Sequence, residues 1–444
     1  MNKEMPHDIA AEQSVLGAMF MSKKACEKVI ERLTPDAFYL DKHSKIFRTI
    51  ASLKEKGVPI DITIVTSELE NRKELSSVGG VEYLSDIITI VPSAANVDEY
   101  IKIVEEKSIR RRLIEAALSI ETDSYNWDDS LDELLDKSEK NLMNISKARS
   151  GSEFKTIADV LYRTQLNLEK LSQIKGEVTG IPTGFYDIDK ITSGLHENEL
   201  IIIAARPAMG KTAFALNIAT NIAMNTKKTV ALFTLEMGAE QLASRMLASV
   251  GQIEGTRLSS GRLEHNDWKR VNEAISRLAD TSIFIDDTPG ISIGEIRAKC
   301  RRLAGEEDLG IVIIDYLQLI SGSSKTQGNR QLEISEISRS LKTLAMELKI
   351  PIIALAQLSR SVESRDDKRP ILSDLRESGS IEQDADIVAF LYRDDYYNQD
   401  SAIDESTSKS EFIMRKHRSG PTGTIDLIFK RNTSTFLNFI NKEE

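Results

Sequence analysis

The chain has 444 residues, 41% hydrophobic and 29% charged, with a formal net charge of -11. That length favours two or three globular domains, and the acidic balance excludes a protein that coats nucleic acid with its whole surface, so any nucleic-acid site is local, in a groove or a ring interior. Cys26 and Cys300 are too few for a disulfide framework or zinc knuckle and read as small buried hydrophobes in a reducing cytoplasm, no run approaches the ~18 apolar residues of a membrane span, and Met1 to Ala10 has no signal-peptide core.

Residues 1–148 read as an all-α domain. Apolar side chains recur at helical spacing in Val15, Leu16, Met19 and Phe20 and in Ile46, Phe47, Ile50 and Leu53. Thr34-Pro35-Asp36, Gly57-Val58-Pro59, Gly79-Gly80 and Val91-Pro92-Ser93 break the pattern into short helices. From Val97 to Ile145 there is almost no Gly or Pro, so the economical reading is a helical hairpin split near Ser124–Asp128. Residues 149–182 read as a linker: Ser146 to Glu153 is polar and small, and Gly176 to Pro182 looks like a second joint. Between them lies an amphipathic helix with Ile157, Val160, Leu161, Leu168 and Leu171 on roughly one face. That stripe needs a partner, either its own domain or a neighbouring subunit.

From residue 183 to 444 the pattern changes to strand–helix alternation. Strands are expected at Leu200–Ala204, Val230–Leu235, Ile283–Asp286, Ile311–Asp315, Pro351–Ala356 and Ile387–Leu391. Helical patterns separate most of them, which predicts an α/β domain with a mainly parallel sheet. Phe412–Arg415, Thr424–Phe429 and Phe436–Ile440 are joined by short turns and read as an antiparallel extension at one edge. Trp127 and Trp268 read as packing residues.

The first of these strands runs into Ala205-Arg206-Pro207-Ala208-Met209-Gly210-Lys211-Thr212 and then a helical pattern. Strand, tight turn, Gly-Lys-Thr and helix make a phosphate-binding loop. Backbone N–H groups and the helix N-terminus converge on one anion site. Lys211 adds a point charge for the β- and γ-phosphates, and the Thr212 hydroxyl suits Mg²⁺. Asp315, at the tip of an apolar strand, faces the ligand crevice of such a sheet and can hold Mg²⁺, often through water. Glu236, just past the second strand, is placed either to orient an attacking water or to favour the next helix N-terminus. Gln357 ends another strand, where an amide can sense the γ-phosphate.

Ser359 to Asp386 is long, polar and mixed in charge, with Arg360, Arg365, Lys368, Arg369 and Arg376 against acids that include Glu363, Asp366, Asp367, Asp374 and Glu377. It reads either as a solvated loop or as a moving segment that holds nucleic-acid phosphates. Arg415-Lys416-His417-Arg418-Ser419-Gly420-Pro421 reads as a solvated basic turn, a nucleic-acid patch, or an arginine finger reaching a neighbour's γ-phosphate.

Taken together these stretches resemble the DnaB family of replicative DNA helicases. The loop at Ala204–Thr212, Leu235-Glu236-Met237, Ile314–Leu319, Ala356–Arg360, and the pair Asp374–Gly379 and Ile381–Asp386 are similar to its motifs in order. Glu12–Gly17, Pro59-Ile60-Asp61 and Val91–Ala94 fit its helical domain. The family itself carries Ala at the position of Ala205; Ala208 replaces a usual Ser, and His417 and Ser419 replace Gln and Asn. The resemblance implies a RecA-like P-loop ATPase domain behind an all-α collar, a homo-hexamer with ATP and Mg²⁺ between subunits, and 5′ to 3′ movement on single-stranded or forked DNA. It implies Lys211, Glu236, Gln357, Lys416 and Arg418 in catalysis, the last two in trans. Ala205 to Thr212 would cradle the nucleotide, Thr212 and Asp315 the metal, and Arg376, Glu377 and Gly379 the DNA. The amphipathic helix would dock on the next subunit, the collar would recruit primase and a helicase loader, and the setting would be the cytoplasm of a bacterium or a phage host. A RecA-like recombination ATPase and a nucleotide-switched ring scaffold are the alternatives.

Overall fold

Apolar residues at helical spacing, interrupted by side-chain caps, build the first part of the molecule. The computed structural model describes residues 4–90, 94–125, 156–173, 178–322, 329–397 and 406–439, with scattered positions between 131 and 145. The chain divides into two compact units, Met1–Val160 and Leu161–Glu444.

In the first unit, α1 (Ile9–Met21) starts where the Asp8 carboxylate accepts from the Ala11 N–H at 2.9 Å. Ser22 ends α1 and caps α2 (Lys23–Arg32), a break that neither Gly nor Pro announces. Then come α3 (Asp41–Glu55), α4 (Ile62–Asn71, capped by Asp61) and α5 (Gly80–Ile90). The 29-residue α6 runs Val97–Tyr125. Val15, Leu16, Met19, Ile46, Phe47, Ile50 and Leu53 share one core with Leu84, Ile87 and Ile101. α6 stops inside the expected break, and Lys137 reaches Asp123 at 2.9 Å, as a returning hairpin arm would. Val91-Pro92-Ser93, Trp127 and Ser146–Glu153 lie outside the described residues.

The amphipathic helix α7 spans Ile157–Gln173. Of its stripe, Ile157 is 72%, Leu161 59% and Leu168 60% exposed among the described residues. Of the expected second joint, the described part is tied down. Gly180 and Ile181 donate backbone N–H bonds to Ser193 and Leu195, and Leu195 returns one to Ile181.

The second unit is built on a nine-stranded sheet in the order β3-β2-β4-β5-β1-β6-β7-β8-β9. The strands are β1 Leu200–Ala205, β2 Thr229–Thr234, β3 Ile283–Asp286, β4 Leu309–Asp315, β5 Ile352–Gln357, β6 Ile387–Tyr392, β7 Thr407–His417, β8 Gly423–Lys430 and β9 Thr435–Asn438. The first six pair in parallel and the last three add antiparallel, as expected. β7 is longer than its apolar run, and Ile440 lies outside the described residues. Alternate residues of β1 serve two cores: Ile201 and Ile203 pack with Phe214, Leu200 and Ile202 with Leu341 and Leu344. That two-sided burial is why the parallel strands read as unbroken apolar runs. Trp268, expected to pack, is 53% exposed on the helix His265–Ala279. Among the described residues no helix is long and apolar enough to cross a membrane.

Both cysteines are buried. Burial pushes the Cys300 thiol up to about 12 and raises Cys26 as well. Only the thiolate is a good nucleophile. Iodoacetamide at mildly alkaline pH is therefore expected to label neither cysteine in the native protein and both after denaturation; mass spectrometry showing native adducts would contradict this burial.

Candidate functional site

The turn after β1 carries the local strain of the site. Ala208 has φ 66° and Gly210 φ 93°, and Lys211 begins the helix α8 (Lys211–Thr226) immediately after. An alanine in the left-handed region costs roughly 1–2 kcal/mol. At Gly210 a Cβ would also stand 3.0 Å from the Phe436 ring and 3.4 Å from that of Phe429. Only glycine meets both demands.

Three strand ends border this turn. Asp315, the last residue of β4, is 2% exposed. Its Oδ2 accepts the Thr212 hydroxyl at 2.5 Å, and its Oδ1 lies 3.5 Å from Lys211 Nζ. Lys211 also sits 4.3 Å over the Tyr316 ring. Burial pulls the Lys211 ammonium below its usual range, against the opposing fields of Asp315 and Glu236. Asp315 Oδ1 is buried with no hydrogen-bond partner. A buried acceptor left over beside a threonine hydroxyl is an oxygen pair that suits a hard divalent cation and its waters.

β2 pairs with β4 so that Thr234 lies opposite Asp315, and Glu236 follows two residues on. Glu236 is exposed and does not start the next helix, whose N-cap is Gly238 and whose first-turn acid is Glu240. Its charge is felt at Lys211 and Tyr316. Gln357 ends β5 opposite Ala205. Its backbone is held by the Gln318 amide, which donates to the Gln357 carbonyl and accepts from its N–H, both at 3.2 Å.

Arg206 does not turn its side chain toward the loop. The buried guanidinium donates from Nη1 to the Leu358 carbonyl at 2.8 Å and from Nε to Glu363 at 2.9 Å. It ties the turn after β1 to the stretch beyond Gln357. That stretch is not a structureless loop. It folds as short turns at Arg360–Ser364 and Leu372–Ser378 and a helix α9 at Gly379–Asp384. Asp374 organises it: the carboxylate accepts from Arg365 at 2.7 Å and from the Ile371 N–H at 2.8 Å. Arg369 forks onto Glu411 at 2.9 and 2.7 Å. Two of the five basic residues thus serve internal pairs. Arg376 and Glu377 lie in the second turn and Gly379 opens α9; their side chains lie outside the described residues.

Lys416 and Arg418 lie far from this loop. His417 at the end of β7 pairs with Ile387, where β6 begins, whereas the loop leaves β1 at its other end. A six-residue strand spans roughly 20 Å. A register shift between Val388 and Ala389 leaves Arg415 as an extra residue on β7, and such bulges re-aim the side chains beyond them. Lys416 donates to the Glu382 and Gln383 carbonyls, and Arg418 to the Gln383 carbonyl and, at 3.3 Å, to Asp386.

A family model described as the DnaB-like helicase C terminal domain matches residues 180–438. Its companion, the DnaB-like helicase N terminal domain, matches residues 4–106. The chain belongs to the DnaB-like replicative helicases. It is 52% identical over 433 residues to the replicative DNA helicase DnaC of Bacillus subtilis (strain 168), covering 98% of this chain and 95% of that one. Identity and both coverages are the same for the replicative DNA helicase DnaB of Geobacillus stearothermophilus: 52%, 98% and 95%. A solved structure described as a DnaB-like replicative helicase and its interactions with primase matches with TM-score 0.78 and 34% identity, covering 98% of this chain and all of that one. The protein is therefore an ATP-dependent DNA helicase of replication with a RecA-like P-loop fold, and neither a recombination ATPase nor a ring scaffold is favoured.

The sequence did not single out Arg393, Asp395 and Ser408, or Phe429 and Phe436 beneath Gly210. Arg393, one residue past β6, donates to the Ala208 carbonyl at 3.2 Å. The one legible signal was an arginine directly after a strand as apolar as Ile387–Tyr392.

Proposed function

We propose that this DnaB-like helicase works as a homo-hexameric ring that draws single-stranded DNA 5′ to 3′ through its centre and opens the duplex at a fork. The observation that carries the reading is the separation of Lys416 and Arg418 from the phosphate loop by the length of the sheet. Neither cation can serve its own loop, so a copy's ATP site is completed by its neighbour. The number six and the polarity come from the family resemblance. Head-to-tail contacts of this kind close into rings.

In this mechanism Ala205 to Thr212 cradle the phosphates of ATP through backbone N–H groups, and Lys211 offsets the β- and γ-phosphate charge. Thr212 and Asp315 are the oxygens that would hold Mg²⁺, which when bound neutralises phosphate charge. Glu236 orients and polarises the attacking water, its carboxylate free of helix-capping work. Lys416 and Arg418 of the adjacent copy meet the charge developing on the γ-phosphate; a finger of this kind is worth on the order of 10³–10⁵ in rate. Gln357 reports loss of that phosphate. Its neighbour Leu358 is bonded to Arg206, and Ser359 donates to the Asp374 carbonyl, so contacts run unbroken from the loop to the segment holding Arg376, Glu377 and Gly379. That segment would hold the DNA backbone.

The exposed stripe of α7 supports docking on the next subunit. The solved relative's partnership with primase suggests that the helical collar here recruits primase, and by family analogy a loader. The cytoplasm is the setting this activity requires.

Lys211→Ala is expected to lower ATP turnover on the order of 10²-fold or more; wild-type steady-state turnover would remove the phosphate-loop assignment. Arg418→Ala subunits mixed with wild type should depress activity more steeply than dilution, because each spoils a neighbour's site. A strictly proportional titration would argue for action in cis. Arg376→Ala is expected to weaken single-strand binding about tenfold and flatten its salt dependence; an unchanged affinity by fluorescence anisotropy would take the DNA role away from that segment.

A further inference from the structure

We propose that Arg393 is a positioning residue that locks the phosphate loop in its nucleotide-ready turn, a role that rests on the reading of that loop as the ATP site. β6 pairs with β1 so that Phe390 lies opposite Ala204, which carries Arg393 alongside the turn at residues 206–208. There its guanidinium is buried, 5% exposed, and every contact has a direction. Nε and Nη2 fork onto the Asp395 carboxylate at 3.3 and 2.9 Å. Nη2 also reaches Ser408 Oγ at 3.0 Å, and that hydroxyl donates to Asp395 Oδ2 at 2.7 Å. The Phe429 ring lies 5.0 Å from the guanidinium carbon. Asp395, Ser408 and Phe429 therefore fix the plane of the fork, and its remaining arm, Nη1, donates to the Ala208 carbonyl.

Ala208 is the non-glycine residue of the loop held at positive φ. A carbonyl and the N–H that follows it point opposite ways across a trans peptide. Pinning the Ala208 carbonyl outward thus aims the Met209 N–H into the turn. That donor makes only a long 3.4 Å contact to the Arg206 carbonyl, so it remains available to a phosphate oxygen. Phe429 meets both ends of the device, lying beneath the Arg393 guanidinium and within 3.4 Å of the Cβ position at Gly210. Arg393 touches neither phosphate nor water in this scheme; it acts through the backbone it holds.

The test uses the full-length protein with ATP. Arg393→Lys keeps a cation against Asp395 but loses the fork that serves Asp395 and Ala208 together. It should raise KM for ATP about tenfold or more, lower kcat by less than that, and shrink the ATP-induced rise in Tm while the nucleotide-free Tm stays near wild type. Arg393→Met combined with Asp395→Leu removes both buried charges, a change that folds tolerate. It should show the same KM-dominated loss even where the lysine variant folds poorly. A folded variant with wild-type KM and a wild-type ATP-induced shift overturns the proposal. So does a lower nucleotide-free Tm with KM unchanged, which assigns Arg393 to packing alone. Lys211→Ala runs alongside: turnover surviving there would remove the loop assignment itself, whereas turnover lost there with Arg393 variants unaffected removes only the clamp.

Discussion

A parallel sheet has two unlike ends, and the chemistry of this molecule depends on that difference. The C-terminal tips of β1, β2, β4 and β5 deliver the phosphate loop, Glu236, Asp315 and Gln357 to one edge. The start of β6 and the end of antiparallel β7 deliver Asp386, Lys416 and Arg418 to the other. No rotamer change closes a gap of roughly 20 Å. In the ring proposed above, a second copy would bring the missing half of the site, and subunit contact would become a condition of turnover.

Within the loop edge the electrostatics are deliberately unfinished. Lys211 is half-buried with the Asp315 carboxylate 3.5 Å away, and Asp315 keeps an oxygen with no hydrogen-bond partner. Buried charges are costly unless paired and fully bonded. A nucleotide phosphate would supply what the ammonium lacks, and a divalent cation would suit the spare carboxylate oxygen. The wider charge balance follows the same economy. A chain of net charge -11 can still grip DNA if the grip is confined to a few residues. Arg365 and Arg369 look like part of that grip in the sequence but neutralise Asp374 and Glu411.

Much of this was legible from residue order. The apolar runs at Ile201–Ala204 and Ile311–Ile314 read as strands buried on both faces, and Gly210-Lys211-Thr212 after one of them marked the turn that Asp315 meets. The charged stretch from Ser359 to Asp386 was harder, because its folding depends on one buried carboxylate, Asp374, whose partners are nine residues apart or are backbone. Composition cannot separate an aspartate of that kind from a solvated one. Residue order likewise could not show where the Arg206 side chain goes, to the Leu358 carbonyl and Glu363. Ser22 ended one helix and began another with neither Gly nor Pro. Trp268 shows that a large aromatic is a poor witness to burial when only one face of its helix is covered.

The antiparallel tail is the least obvious part, and its role differs from that of an edge guard. Phe429 of β8 and Phe436 of β9 form the floor under Gly210, and the Asn217 side chain accepts the Phe436 N–H at 2.6 Å, stitching β9 to the helix that follows the loop. β7 carries Ser408 near one end, bonded to Arg393 and Asp395 behind the chain's own phosphate loop. Its other end carries Lys416, and Arg418 follows directly after it. One strand therefore joins the support of the loop after β1 to the two cations that the proposed ring would lend to a neighbour. Its middle is hydrogen-bonded on both sides, to β6 and β8, which leaves the bulge at Arg415 as the point where that end can adjust. Shortening β7 by two residues would preserve the alternation of faces yet pull one of these ends off its partner. In the proposed ring, the length of an apparently peripheral strand would thus answer to two sites at once.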